Sequence, residues 1–172
     1  MDGVARRAQV GKSTLYLRWP DREALLAAAV QAIAEPIAPV HTDSLRGDVE
    51  LLARQLRNYY ADPRGWAVTR IWIDAAGSGR QVGHFVDVVN KHYRPSALAI
   101  ADRAVARGEL RADAPGQLLV NAIYGMSFMY AAMRPWDERE ASASADPDEV
   151  QMVADFCMRG LAPWLLTGAA GA

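Results

Sequence analysis

Helical periodicity runs through the chain, and no stretch alternates apolar and polar residues as a half-buried strand would. Residues 4–26, VARRAQVGKSTLYLRWPDREALL, predict two short helices and the start of a third. Ala5 and Ala8 are small residues on one face of the first helix, and Val10 is placed to plug the turn after it. Gly11 opens the second helix, in which Leu15 and Trp19 stand four apart, share a face and can anchor it to a core. Trp19-Pro20-Asp21 breaks that helix, and Asp21 is a natural N-cap for the third, with Glu23 near its positive end. The third helix ends at Glu35-Pro36, and residues 37–40 read as a stiff connector.

Beyond the connector, a helix is expected from about Ser44 to Ala61, with the stripe Leu45, Val49, Leu52, Leu56 and Tyr59 and a stop at Asp62-Pro63. A shorter one covers about Gly65 to Ala76, ended by Gly77-Ser78-Gly79. The next runs from about Gln81 to Ala106, bent near Pro95 and capped by Gly108. Two helices close the chain. One spans about Pro115 to Met133, with Leu118, Leu119, Ala122, Ile123, Met126, Met129 and Tyr130; the other spans about Pro147 to Leu166, with Val150, Val153, Ala154, Cys157, Leu161 and Trp164. Asp146-Pro147-Asp148-Glu149 is a strong helix start, residues 134–145 read as a mobile polar loop, and the tail from Gly168 as disordered. Both final helices are apolar over much of their circumference and need cover on more than one side. A second subunit can supply it, giving an intersubunit four-helix bundle around a two-fold axis; the alternative is a helix pair buried within one chain.

The fold class is therefore all-α: a helix-turn-helix head in residues 1–35 and a helical body in residues 36–172. The 172 residues suit one domain with a small appendage, and 51% hydrophobic against 23% charged residues is an ordinary globular balance. No apolar run reaches the roughly 20 residues needed to span a membrane, and the N-terminus lacks the apolar core of a signal peptide. The lone cysteine, Cys157, fits a reducing cytoplasm and reads as a small buried hydrophobe. The net charge of −1 is unevenly spread: residues 1–22 hold five basic side chains (Arg6, Arg7, Lys12, Arg18, Arg22) against Asp2 and Asp21. A basic head on an acidic body suits a protein that presents one end to phosphate.

Two short helices, a tight turn and a polar second helix match the unit that docks in a DNA major groove. Its DNA-facing candidates are Lys12, Ser13, Thr14, Tyr16, Leu17, Arg18 and Arg22. Lys12 and Ser13 project from the start of the second helix, and Lys12 is suited to guanine O6 and N7; Leu17 can make an apolar base contact but no hydrogen bond. The ThrLeuTyr of residues 14–16, then Trp19 and Pro20 to Leu26, resemble the DNA-binding segment of the TetR family of bacterial transcriptional regulators. Arg103 to Arg111, RAVARGELR, resembles a segment of that family's ligand-binding half. The resemblance implies that Thr14 and Tyr16 contact phosphate, that Arg22 takes a phosphate-binding position, and that two heads of a homodimer, paired through the two C-terminal helices, read a near-palindromic operator at a spacing of roughly 34–36 Å.

The chain departs from the family pattern in three places. Members normally carry a basic arm and a first helix before the position of Val4, so this sequence reads as truncated or started downstream, with an incomplete head. Gln9 stands where the turn usually has Gly, which predicts an unfavourable backbone conformation. Leu17 replaces a polar or aromatic residue.

The resemblance also implies a small-molecule pocket in the middle helices. Tyr59, Tyr60, Trp66, Trp72, Phe85, His92, Tyr93, Tyr124, Met126 and Phe128 are the candidate lining for a small hydrophobic ligand, although for each residue taken singly core packing is the stronger reading. Ligand binding would tilt the helix from Asp21 to Glu35 and release a repressor from DNA. No cofactor is implied. His84, Asp87 and His92 lie one and two turns apart, but no HExxH or paired-Cys motif accompanies them, and Lys91 offers Asp87 a simpler partner, so a metal enzyme is the weaker reading. The stronger rival is a ligand-binding or dimerisation module with weak or no DNA binding.

Overall fold

The longest apolar stripe in the sequence becomes the central helix of the body. The computed structural model describes residues 1–33, 37–77, 97–135 and 147–166. Its helices are α1 (Asp2–Ala8), α2 (Lys12–Arg18), α3 (Arg22–Ile33), α4 (Leu45–Ala61), α5 (Pro63–Gly77), α6 (residues 97–106), α7 (Gly116–Met133) and α8 (Pro147–Gly160), followed by a short 3-10 turn, Ala162–Trp164. Among the described residues there is no strand, only one antiparallel bridge between Leu110 and Leu165. The architecture is all-α, as the periodicity predicts.

Local chemistry sets the boundaries. Ser44 caps α4 by accepting the Gly47 amide (3.0 Å). Asp62 closes α4 through its own amide, which bonds the Asn58 carbonyl (3.0 Å), and opens α5 by accepting the Arg64 and Gly65 amides on Oδ1 (2.7 and 3.3 Å). Pro63 therefore starts α5 rather than merely stopping α4, since a first-turn proline has no amide to waste. A β-carbon on Gly65 would stand 2.0 Å from the Tyr59 carbonyl oxygen, so this tight α4–α5 corner requires glycine. Gly108, at φ 75°, ends α6: its amide bonds Val105 and the Glu109 amide bonds Ala104, a left-handed C-terminal cap. The last helix is shorter than the periodicity predicts. It stops at Gly160, and Trp164 belongs to the 3-10 turn, because Pro163 cannot continue the ladder.

α4 packs against α5, α7 and α8, and α7 packs against α8. Leu45, Val49, Leu52 and Leu56 are fully buried, but Tyr60, not Tyr59, completes the stripe; Tyr59 is half-buried. Ile100 and Ala104 of α6, Leu119 and Ile123 of α7, and Val153, Ala154 and Cys157 of α8 close the same core. Burial pushes the Cys157 thiol up to about 11, the behaviour of an inert buried hydrophobe. The outward faces of the two C-terminal helices are different. Leu118, Met129 and Met133 on α7 and Met152 and Phe156 on α8 are all more than half exposed, at helical spacing on each helix. The expected helix start at Asp146, the bend near Pro95, the break at Ser78-Gly79, most of the loop 134–145 and the tail from Gly168 lie outside the described residues.

One polar cluster is buried in this apolar body. Asp48, fully buried on α4, accepts from the Thr42 amide (2.6 Å) and hydroxyl (2.9 Å), and its other oxygen faces Arg103 (3.3 Å) and Arg107 (3.4 Å) of α6. Arg103 also donates to the Val40 carbonyl (2.6 Å), and Arg107 pairs with Glu109, whose second oxygen accepts the Leu45 amide (2.5 Å). The connector is thereby tied to two helices.

Candidate functional site

The head is built on a small anchor. In α2 only Leu15 is buried, and in α1 only Ala5. Trp19, one turn after Leu15, is half-buried with the Arg18 guanidinium over its ring at 5.1 Å. Val10 does not plug the turn: it is 41% exposed, and Ala8, one turn from Ala5 on the same helix, is exposed as well, because the face they present is not covered by any described residue. Gln9 adopts the left-handed conformation (φ 56°, ψ 37°), the strain foreseen for a non-glycine residue in this turn. Asp21 caps α3 by accepting the Ala24 amide at 2.7 Å.

Leu15 turns inward, so the rest of α2 turns out. Lys12, Ser13, Thr14, Tyr16, Leu17 and Arg18 are all exposed, as is Arg22 at the start of α3, and Leu17 at 89% is the most exposed large apolar side chain of the head. Lys12 is engaged by Asp2 of α1 at 2.7 Å, which raises the Lys12 pKa and lowers that of Asp2. Both groups are solvated, so the pair is weak and exchangeable.

In the body, α4, α5 and α7 line a half-open chamber of about 360 Å³. Its walls are Ile37, Leu56, Tyr59, Tyr60, Val68, Thr69, Trp72, Ile73, Gln117, Val120, Asn121, Tyr124, Gly125 and Phe128. Five sequence candidates, Tyr59, Tyr60, Trp72, Tyr124 and Phe128, line it. Trp66 and Met126 do not: they pack against the core, and Trp66 stacks on Phe128 from behind (6.0 Å, 19°). Phe85, His92 and Tyr93 lie outside the described residues, as do His84, Asp87 and Lys91. Tyr60 meets Tyr59 and Phe128 edge to face, and its phenol is pushed up first by burial and then by Tyr124. Val68, Val120 and Thr69 are wall residues that an aromatic search overlooks; the available signal was their i, i+4 spacing to other wall residues on their helices. No described wall residue carries a charge. Among the described residues no three His, Cys, Asp or Glu side chains could hold a metal ion, and no helix is long and apolar enough to cross a membrane.

Two family profiles match the chain. Residues 1–29 match the profile described as bacterial regulatory proteins, tetR family, and residues 39–150 match the tetracyclin repressor-like C-terminal domain. The chain belongs to the TetR family. It is 29% identical over 137 residues to an uncharacterized HTH-type transcriptional regulator of Mycobacterium bovis, covering 72% of this chain and 65% of that protein. It is 28% identical over 132 residues to the HTH-type transcriptional regulator AqdR of Rhodococcus erythropolis, covering 74% of this chain and 61% of that protein. The chain thus spans less than two thirds of the length of these relatives. No solved structure matches it.

Proposed function

We propose that this chain acts as a TetR-type transcriptional regulator in the cytoplasm, binding an operator in double-stranded DNA as a homodimer and releasing it when a small apolar ligand occupies the chamber. The observation that carries the reading is the polarity of α2: Leu15 alone faces the core, while hydroxyls, cations and Leu17 face outward. Lys12, Arg18 and Arg22 would neutralise phosphate or read guanine, Ser13, Thr14 and Tyr16 would hydrogen-bond the backbone, and Leu17 would meet a base edge. Homodimerisation through α7 and α8 is supported by their five exposed apolar side chains, which a two-fold partner would cover. The chamber supports the ligand site, with Tyr59, Trp72, Tyr124 and Phe128 as lining. The reading needs no cofactor and no enzymatic chemistry.

The test is binding of the purified chain to DNA flanking its own gene, followed across salt concentrations against scrambled competitor. Competitor-resistant binding with a steep salt slope supports the reading, and Lys12→Ala should then lower the slope by about one. A second reading is favoured by the thin packing of α1 and α2, where only Ala5 and Leu15 are buried and Val4 and Val10 are exposed. On that reading the chain is a ligand-binding dimerisation module whose head does not hold its groove geometry, and DNA binding is weak and sequence-blind.

A further inference from the structure

A second cavity lies against the chamber and differs from it in chemistry. This cleft, of about 330 Å³, shares Ile37 and Tyr59 with the chamber, so the two spaces meet at one wall. Its remaining lining is polar on the α4–α5 side, with Gln55, Asn58, Asp62 and Arg64, and apolar on the connector side, with Ile33 among others. The carbonyl oxygen of Gln55 is buried and accepts no hydrogen bond from the protein. A buried acceptor without a donor is unfavourable, and the terminal amide of a glutamine turns easily about its last torsion, so a donor arriving in the cleft would give that oxygen its missing partner. Asp62 and Arg64 are of opposite sign, and no described wall residue of the chamber is charged, so the described walls of the two spaces carry no net charge to balance an ionic ligand.

We propose that the effector of this protein is an uncharged amphipathic molecule, its apolar body in the chamber and its hydrogen-bond-donating head in the adjoining cleft at Gln55. The proposal rests on the reading of the chamber as a ligand site and adds a second, polar subsite to it. It also places the head of the ligand against Ile33, the last residue of α3, and Ile37 of the connector, so the segment that carries the head of the protein senses the polar end of the ligand.

The test uses the full 172-residue chain, with N-phenyl-1-naphthylamine as fluorescent reporter and three competitors of one shape: 4-hexylphenol, 4-hexylanisole and 4-hexylbenzoate. The phenol should displace the reporter about tenfold more tightly than the anisole, the difference one hydrogen bond makes, and the benzoate should bind worst. Gln55→Met should abolish the phenol's advantage over the anisole, with a parental circular dichroism spectrum and thermal transition showing that the variant is folded. Gly125→Leu, at a chamber position where an added β-carbon meets nothing within 4 Å, should weaken all three. Equal binding of phenol and anisole, an advantage that survives Gln55→Met, or tightest binding by the benzoate overturns the polar subsite while the chamber stands. Failure of every compound to compete, or indifference to Gly125→Leu, overturns the chamber reading and the subsite with it.

Discussion

Asp48 is the side chain whose removal should cost the body most per atom. It sits fully buried on the apolar stripe of α4, and its carboxylate accepts two short bonds from Thr42 and faces Arg103 and Arg107. The two arginine contacts are long and their side chains about a quarter exposed, so solvent weakens them; the Thr42 bonds carry more of the effect. A hydrogen bond to a charged group contributes roughly 1.5–3 kcal/mol, and removing one partner of a buried charged cluster costs about 3–5 kcal/mol. Asp48→Ala should therefore destabilise the chain by about 3–5 kcal/mol, a fall in Tm of roughly 6–20 °C for a protein of this size. Asp48→Asn keeps the shape and one acceptor for Thr42 but turns an NH₂ toward two guanidinium groups, so a loss of about 2 kcal/mol is expected. Urea denaturation followed by circular dichroism measures both, and a double-mutant cycle with Thr42→Val isolates the connector contact. Additive effects of the two substitutions, or a loss under about 1 kcal/mol for Asp48→Ala, would refute the assignment of Asp48 as the connector's anchor.

Other consequences follow from the same geometry. Gln9→Gly should stabilise the head by about 1 kcal/mol by removing left-handed strain at φ 56°, visible as slower hydrogen exchange in α1 and α2. Gly65→Ala should be destabilising beyond the cost of a helix substitution, since the new carbon meets the Tyr59 carbonyl at 2.0 Å; thermal denaturation reports it. Phe156→Asp combined with Met129→Lys should shift the chain from dimer to monomer in sedimentation equilibrium without loss of helix, and an unchanged mass would sink the α7–α8 interface. The Cys157 thiol ionises near 9 when unfolded and near 11 when folded, so the folded state holds a proton that the unfolded state has lost. Its contribution is intact below pH 9 and is lost as the pH rises toward 11; Cys157→Ala should flatten that part of the stability–pH curve.

The parts of the molecule that depend on neighbours in sequence were legible there. Asp21 and Ser44 cap helices because a short side-chain oxygen reaches an amide two or three residues on, and the strain at Gln9 follows from a turn that wants glycine. Cys157 is buried because its position in an apolar period leaves it no other face. What escaped the sequence depends on distant partners. Asp48 falls on the stripe with Leu45 and Leu52, which marks it as anomalous, yet its partners include Arg103 and Arg107, more than fifty residues away. The chamber was half legible: aromatic content pointed to Tyr60, Trp72, Tyr124 and Phe128, but periodicity cannot tell which face of a doubly covered helix meets a void. Trp66 carries the same aromatic signature as the wall residues, yet it stacks on Phe128 and does not line the chamber.

The two polar features of the body, the Asp48 cluster and the Gln55 cleft, flank the connector and constrain how a ligand signal can travel. The far end of the connector is fixed to α4 and α6 through Thr42 and Val40, while Ile33 and Ile37 at its near end line the cleft. On the proposed reading, a ligand head pressing on Ile37 would meet a connector held at its far end by the cluster, and its displacement would go toward the unanchored end, α3 and the head. Loosening the anchor should redirect it. Asp48→Asn, which retains the fold, is expected to leave DNA affinity and ligand affinity each within about threefold of the parent while shrinking the factor by which ligand weakens DNA binding. Thermodynamic reciprocity requires the same shrinkage in the factor by which DNA weakens ligand binding. Titrating each in the presence and absence of the other measures both factors. If they keep their parental value in Asp48→Asn while stability falls as calculated, the anchor serves folding alone and the signal reaches α3 by another route.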